Sequence, residues 1–155
     1  MQPAQIVGCG ILRTERAPRR GRGALVTRIY VAAPLPLIAD ARAMARRLAS
    51  AGHRVTSSWH DGNPTVELEA AMTAPGRMAL ADACEGEVLA SSALVLLYGP
   101  ETTRHGSVFE AGIAYGVGLR VIAVATSERA VLPTALLWAG GVIHCGLDDV
   151  LRCLP

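Results

Sequence analysis

The sequence predicts a three-layer α/β fold, a five-stranded parallel sheet with helices on both faces. Short apolar, β-branched runs alternate with segments of helical spacing from residue 28 to residue 155, the pattern of repeated βαβ units. Turn chemistry follows the apolar runs, at Pro34-Leu35-Pro36, at Trp59 to Pro64 and at Gly99-Pro100. In a parallel sheet those turns collect at one edge, where open α/β folds bind ligands.

The elements follow in order. Arg28 to Ala33 is β-branched and aromatic and reads as strand one; it stops where Pro34 and Pro36 remove backbone donors. Apolar residues at 37, 38, 41, 44, 45 and 48 give a helix over 37–51, with Arg42, Arg46 and Arg47 on its outer face and Gly52 as its C-terminal stop. Strand two is expected over 53–58. Residues 65–73 read as a short helix or irregular chain. Pro75 suits the first turn of a helix reaching Ser91, in which Met78, Ala79, Asp82, Glu85, Val88 and Leu89 fall close to one stripe. Glu87 reads as a solvent-facing acid. Ala93 to Tyr98 is strand three, 107–118 a helix rich in small residues, and Arg120 to Ala125 strand four. A short helix over 133–138, strand five over 141–144 and a last helix over 147–154 complete a flavodoxin/Rossmann-like arrangement.

At 155 residues the chain is expected to form one domain with a full core. One Phe and two Trp leave that core to Ala, Val, Leu and Ile. The net charge of +2 hides an asymmetry. Residues 1–28 hold six Arg and one Glu, whereas the rest holds nine Arg and twelve acids. The body is mildly acidic, so a nucleic-acid partner is not expected. Residues 1–27 read as a basic, flexible leader ahead of a single domain over 28–155. The four Cys show no metal-ligand spacing, and free thiols in a cytoplasmic protein are the simple reading. No apolar stretch is long and unbroken enough to span a membrane.

The stretch GPETTRHGSVFEAGIA, residues 99–114, concentrates the chemistry. It places Glu110 one turn inside a helix that follows a buried strand. Taken alone, such an acid can simply complement the helix dipole. Its neighbours at the same edge give it more to do. They are Tyr30 and the Ala33-Pro34 turn from strand one, Trp59, His60 and Asp61 after strand two, and Gly99, Arg104, His105, Gly106 and Ser107 after strand three. The helix before strand three offers Asp82 or Glu85. The free N–H groups of a helix start bind anions, and Arg104 adds a charge suited to phosphate. Neither a GxGxxG nor a GxxxxGK[ST] pattern is present. His53 and His144 read as structural, and Phe109 as packing or substrate contact.

IYVAAP at 29–34 and GSVFEAGIAYGVGLRVIAV at 106–124 resemble the nucleoside 2-deoxyribosyltransferase superfamily, which includes the 2'-deoxynucleoside 5'-phosphate N-hydrolases. The resemblance covers about residues 28 to 150. It implies cleavage of the N-glycosidic bond of a (deoxy)nucleoside 5'-monophosphate, by hydrolysis or base transfer; the absent metal-ligand spacing and nucleotide-binding motifs lead to the expectation of no metal and no cofactor. It implies that Glu110 is the nucleophile, that Tyr30 orients it, and that an acid on the preceding helix serves the leaving base. Counting back from strand three by the family's spacing reaches Glu85; Asp82 lies one turn earlier. Arg104 stands where the transferases acting on free nucleosides carry an Asp, which favours a nucleotide. The implied partner is a small-molecule nucleoside or nucleotide, and the implied assembly a homo-oligomer. The alternatives are a non-catalytic nucleotide-binding module on the same scaffold and a nucleoside 2-deoxyribosyltransferase acting on free nucleosides.

Overall fold

Five parallel strands form one sheet in the order β2-β1-β3-β4-β5 in the computed structural model, which describes residues 26–62, 64–100, 106–131 and 141–154. The strands are β1 (Arg28–Ala32), β2 (Arg54–Val55), β3 (Ala93–Tyr98), β4 (Arg120–Ala125) and β5 (Val142–Gly146). Register runs straight across the centre, Tyr30 against Leu94, Leu94 against Val121 and Val121 against Val142. The strand order reverses between β1 and β3, and an open α/β sheet leaves a crevice outside the carboxyl ends at that reversal. The expected three-layer α/β architecture is therefore the one observed.

Alternation along each strand separates two cores. Ile29, Val31, Val95, Leu97, Ile122 and Val124 face α1 (Ile38–Ser50), which supplies Ala41, Met44, Ala45 and Leu48, and Val150 of α5 (Val150–Cys153) joins them. Tyr30, Ala32, Leu94, Leu96 and Val121 face the other way. They meet Val88 of α3 (Ala74–Leu89) and Ala111 and Ala114 of α4 (Gly106–Gly116). Every residue of β3 is buried, as expected of a central strand covered on both faces.

Local signals explain where the elements stop. Gly52 follows α1 with φ +89°, a left-handed conformation that a Cβ would oppose. Residues 65–73 form α2 (Val66–Ala71), whose first turn is capped by Thr65 accepting from the Leu68 N–H at 3.1 Å. Thr73 does the same for α3 through the Gly76 N–H at 3.3 Å. The helix expected over 147–154 is a turn followed by the four residues of α5. Strand two also falls short of the expected 53–58. Its ladder ends at Val55, and β1 finds side-chain partners beyond it. The Ser57 hydroxyl accepts from the Val31 N–H at 3.1 Å, and the Trp59 indole N–H donates to the Val31 carbonyl at 2.8 Å. Two side chains thus replace the next rung of the sheet.

The basic leader and the helix expected over 133–138 lie outside the described residues, apart from the last two residues of the leader. Among the described residues no helix is long and apolar enough to cross a membrane.

Ser57→Ala is expected to leave the buried Val31 N–H unpaired and to release His60, whose Nε2 lies 3.1 Å from the same hydroxyl. The expected loss is about 1–3 kcal/mol, seen as a lower urea midpoint at unchanged slope.

Candidate active site

Tyr30 lies in the middle of β1 with its side chain toward α4, because its neighbours Ile29 and Val31 take the opposite face. The ring is fully buried. Its hydroxyl donates to Oε1 of Glu110 at 2.8 Å, across 80 residues of sequence. On α4, Ser107, Ala111 and Ala114 are buried and Glu110 shares their stripe. The small residues at 111 and 114 let the helix lie close to the sheet, so a carboxyl on this stripe reaches a strand side chain.

Burial raises the Glu110 carboxyl from its ordinary 4.5 to about 7. The Tyr30 hydrogen bond and the nearby Cys84 thiol oppose that rise, and the charge of Glu87 adds to it. The Tyr30 phenol is pushed well above its ordinary value, first by burial and then by the Glu110 charge. Tyr30 therefore remains a neutral donor, and Glu110 is the group of the pair that changes charge near neutral pH. Such a carboxyl can act as a nucleophile or base when ionised, or as an acid when protonated.

Glu110 opens onto a cavity of ≈ 370 Å³ at the carboxyl edge of β1. Ala33 and Pro34, the turn after β1, form one side, and Gly106 and Ser107 at the start of α4 form another. Trp59 walls the cavity, fixed by its bond to the Val31 carbonyl. Leu68, Glu69 and Met72 from α2 and the residue after it approach from a third side. Most of the lining is apolar, the usual character of a small-molecule site with a few placed polar groups.

Of the residues expected at the site, the cavity brings together Glu110, Ala33, Pro34, Trp59, Gly106 and Ser107, with Tyr30 bonded to Glu110. Asp82 and Glu85 are not brought to it. Both are exposed, on the side of α3 that also exposes Met78 and Leu89. The inward stripe of α3 is instead Leu80, Cys84 and Val88, the first two lining the cavity. Glu87, expected to face solvent, is half-buried and accepts from both the N–H and the hydroxyl of Ser58, pinning the loop after β2 to α3. His60 is buried behind the site. Its ring packs edge-on against Trp59, and burial lowers its pKa. Gly99 lies outside the cavity, where a Cβ would crowd Thr126 and Leu37 at 3.3–3.4 Å. Arg104 and His105 lie outside the described residues.

Cys84, Leu80 and the α2 side of the cavity were missed from sequence. A signal for the first two was present, since Leu80, Cys84 and Val88 repeat at four-residue spacing. Among the described residues no three His, Cys, Asp or Glu side chains cluster as a metal site.

Two solved structures share this fold. One is a 2-deoxyribosyltransferase from Bacillus psychrosaccharolyticus, 19% identical over 79% of this chain and 86% of that chain, with a TM-score of 0.57. The other is a CMP N-glycosidase from Clostridium botulinum, 14% identical over 78% of this chain and 89% of that chain, with a TM-score of 0.50. No protein-family model matches the chain, and no curated protein sequence does. At these identities the likeness is one of fold, and function has to be argued from the site.

The raised Glu110 carboxyl makes a sign-definite prediction about stability. Its folded value, about 7, exceeds its ordinary 4.5, so in that window the folded chain binds more protons than the unfolded one. Stability is therefore lost as pH rises from about 4.5 to about 7. Glu110→Gln is expected to remove this contribution. The variant gains on the wild type between pH 5 and pH 8, by up to roughly 3 kcal/mol, in urea unfolding at the two pH values.

Proposed function

We propose that the chain is an N-glycosidase of the nucleoside 2-deoxyribosyltransferase superfamily. Its substrate is a (deoxy)nucleoside 5'-monophosphate, and Glu110 is the nucleophile. The observation that carries the proposal is the Tyr30–Glu110 hydrogen bond at the wall of an apolar cavity. It joins two residues for which the sequence resemblance implies these roles. The fold shared with a deoxyribosyltransferase and a CMP N-glycosidase supports the reading.

The chemistry follows from the carboxylate. As the bond between C1' and the base nitrogen lengthens, positive charge develops on the sugar, and an anion beside C1' stabilises it. Glu110 then forms a bond to C1', the glycosidic electron pair leaves with the base, and the base takes up a proton. Water attacks C1' of the ester, loses its proton and returns the free carboxylate. A second base in place of water gives transfer. Tyr30 holds Oε1, leaving the carboxylate's remaining lone pairs for the sugar.

On this proposal the 5'-phosphate binds at the start of α4. Gly106 and Ser107 line the cavity there, free N–H groups of a helix start favour an anion, and Arg104 precedes them in sequence. A second copy of the chain is assigned to α3 and α4, whose outer surfaces expose Met78, Leu89, Phe109 and Tyr115. Light scattering after size exclusion is expected to give at least a dimer; a monomer at micromolar concentration would exclude this assembly.

Incubation with a panel of nucleosides and their 5'-monophosphates is expected to release free base from the monophosphates, with little from the nucleosides. Glu110→Ala is expected to lower that rate by about a thousandfold or more. Because Glu110 must be ionised, kcat should climb as pH rises through about 7. Excess of a different base separates transfer, which yields a new nucleotide, from hydrolysis. Nucleotide binding with no base release, equally tight in Glu110→Ala, would instead establish a non-catalytic binding module.

A further inference from the structure

The helix expected to supply a second acid presents a thiol instead. Cys84 stands on the inward stripe of α3 with Leu80 and Val88, and it lines the same cavity as Glu110. Its thiol lies close enough to Tyr30 and Glu110 to influence the titration of both, and its presence favours the ionised Glu110 carboxyl. Three elements thus meet in one cluster, with Tyr30 from β1, Cys84 from α3 and Glu110 from α4.

The proton count within the cluster decides what the thiol does. The single Tyr30 proton is committed to Oε1 of Glu110 at 2.8 Å. A thiolate at position 84 would set a second negative charge against a carboxylate in a poorly hydrated cavity. Burial raises the Cys84 thiol above its ordinary value; the neighbouring Tyr30 hydroxyl opposes that rise, and the charges of Glu110 and Glu87 add to it. The group therefore keeps its proton and donates it, without adding charge. The other titratable groups around Glu110 are Tyr30 from β1, Glu87 from α3 and Glu69, which lines the cavity from α2.

We propose that Cys84 is a positioning residue, whose S–H group holds the Glu110 carboxylate in its ionised, attacking orientation together with the Tyr30 hydroxyl. The inference rests on the proposed role of Glu110 as nucleophile. It assigns the inward position of α3 to support of the nucleophile and not to protonation of the leaving base.

The test compares Cys84→Ala, Cys84→Ser and Cys84→Asp by following the Glu110 carboxyl with 13C NMR, Glu110→Gln giving the assignment. Alanine removes a donor to the charged form and is expected to raise the Glu110 midpoint by roughly half a pH unit or more, lowering the ionised fraction at pH 6 about threefold. Serine restores a donor and is expected to return the midpoint to within about 0.2 of the wild-type value. Aspartate adds like charge and is expected to raise the midpoint above that of alanine. With a nucleoside monophosphate that turns over, the rising limb of kcat should move with the midpoint while KM changes less. An unchanged midpoint in all three variants, or alanine and serine variants that behave alike, would overturn the proposal. The titration needs no turnover, so a chain that cleaves nothing refutes the N-glycosidase reading while the thiol's hold on Glu110 is still measured.

Discussion

The 2.8 Å bond between Tyr30 and Glu110 sets the terms for the rest of the molecule. A carboxyl pressed against the face of a sheet loses its water, and an ionised one is tolerated there only with donors in place. The phenol is one such donor, and β1 holds it firmly. The strand is paired on both sides, by β2 and by β3, so the ring of Tyr30 has little freedom to follow a moving helix. On the other side, Ala111 and Ala114 allow α4 to approach the strands closely. A larger residue at either position would lift Glu110 away from the phenol. Sheet order, strand alternation and helix composition thus converge on one interatomic distance.

The same bond explains why the neighbouring loop is so heavily tied down. Trp59 can wall the cavity only if the chain after β2 stays beside β1. The sheet cannot ensure this, because pairing ends at Val55. Side chains take over. Ser57 and Trp59 bond the two polar groups of Val31, Ser58 bonds Glu87, and the Arg42 side chain donates to the carbonyls of His60 and Gly62. The loop is thereby fixed to β1, α3 and α1 at once. Catalytic and binding groups work best on such over-determined supports.

The position of Glu110 was legible in sequence because a buried strand followed by a turn and a small-residue helix fixes where it lies, and that of Tyr30 because it falls inside a plain β-branched run; that the two pair was implied only by the family resemblance. The parallel sheet was legible for a similar reason, as its strands are short and almost wholly apolar. The phase of α3 was not. Apolar residues occur on both sides of that helix, Leu80 and Val88 inward, Met78 and Leu89 outward. Periodicity alone cannot choose between them. One residue is 100° around a helix, so expecting the inward group at Asp82 or Glu85, and not at Cys84, put it on the side turned away from the cavity. The α2 side was unreadable on other grounds. Whether residues 65–73 cover a cavity depends on how the chain packs after β2, which no local signal encodes. The shortness of β2 escaped for a related reason, since it depends on serine and indole side chains replacing backbone partners.

What remains is an electrostatic balance between opposing effects, with desolvation the largest of them. Desolvation pushes the Glu110 proton on, while the donors Tyr30 and Cys84 pull it off, and the result is a carboxyl poised near neutral pH. Deeper burial without more donors would leave it protonated and unable to attack. More donors, or more water, would leave it ionised but with its charge already satisfied and therefore a weaker partner for a cationic sugar. An apolar cavity wall is what makes the charge effective, because the attraction between carboxylate and developing oxocarbenium grows as the local dielectric falls. The leucines, methionine and tryptophan around the cavity are in this sense part of the chemistry. In the proposed reaction they would bind the substrate through contact area, and they would also set the strength of the charge that Glu110 brings to it.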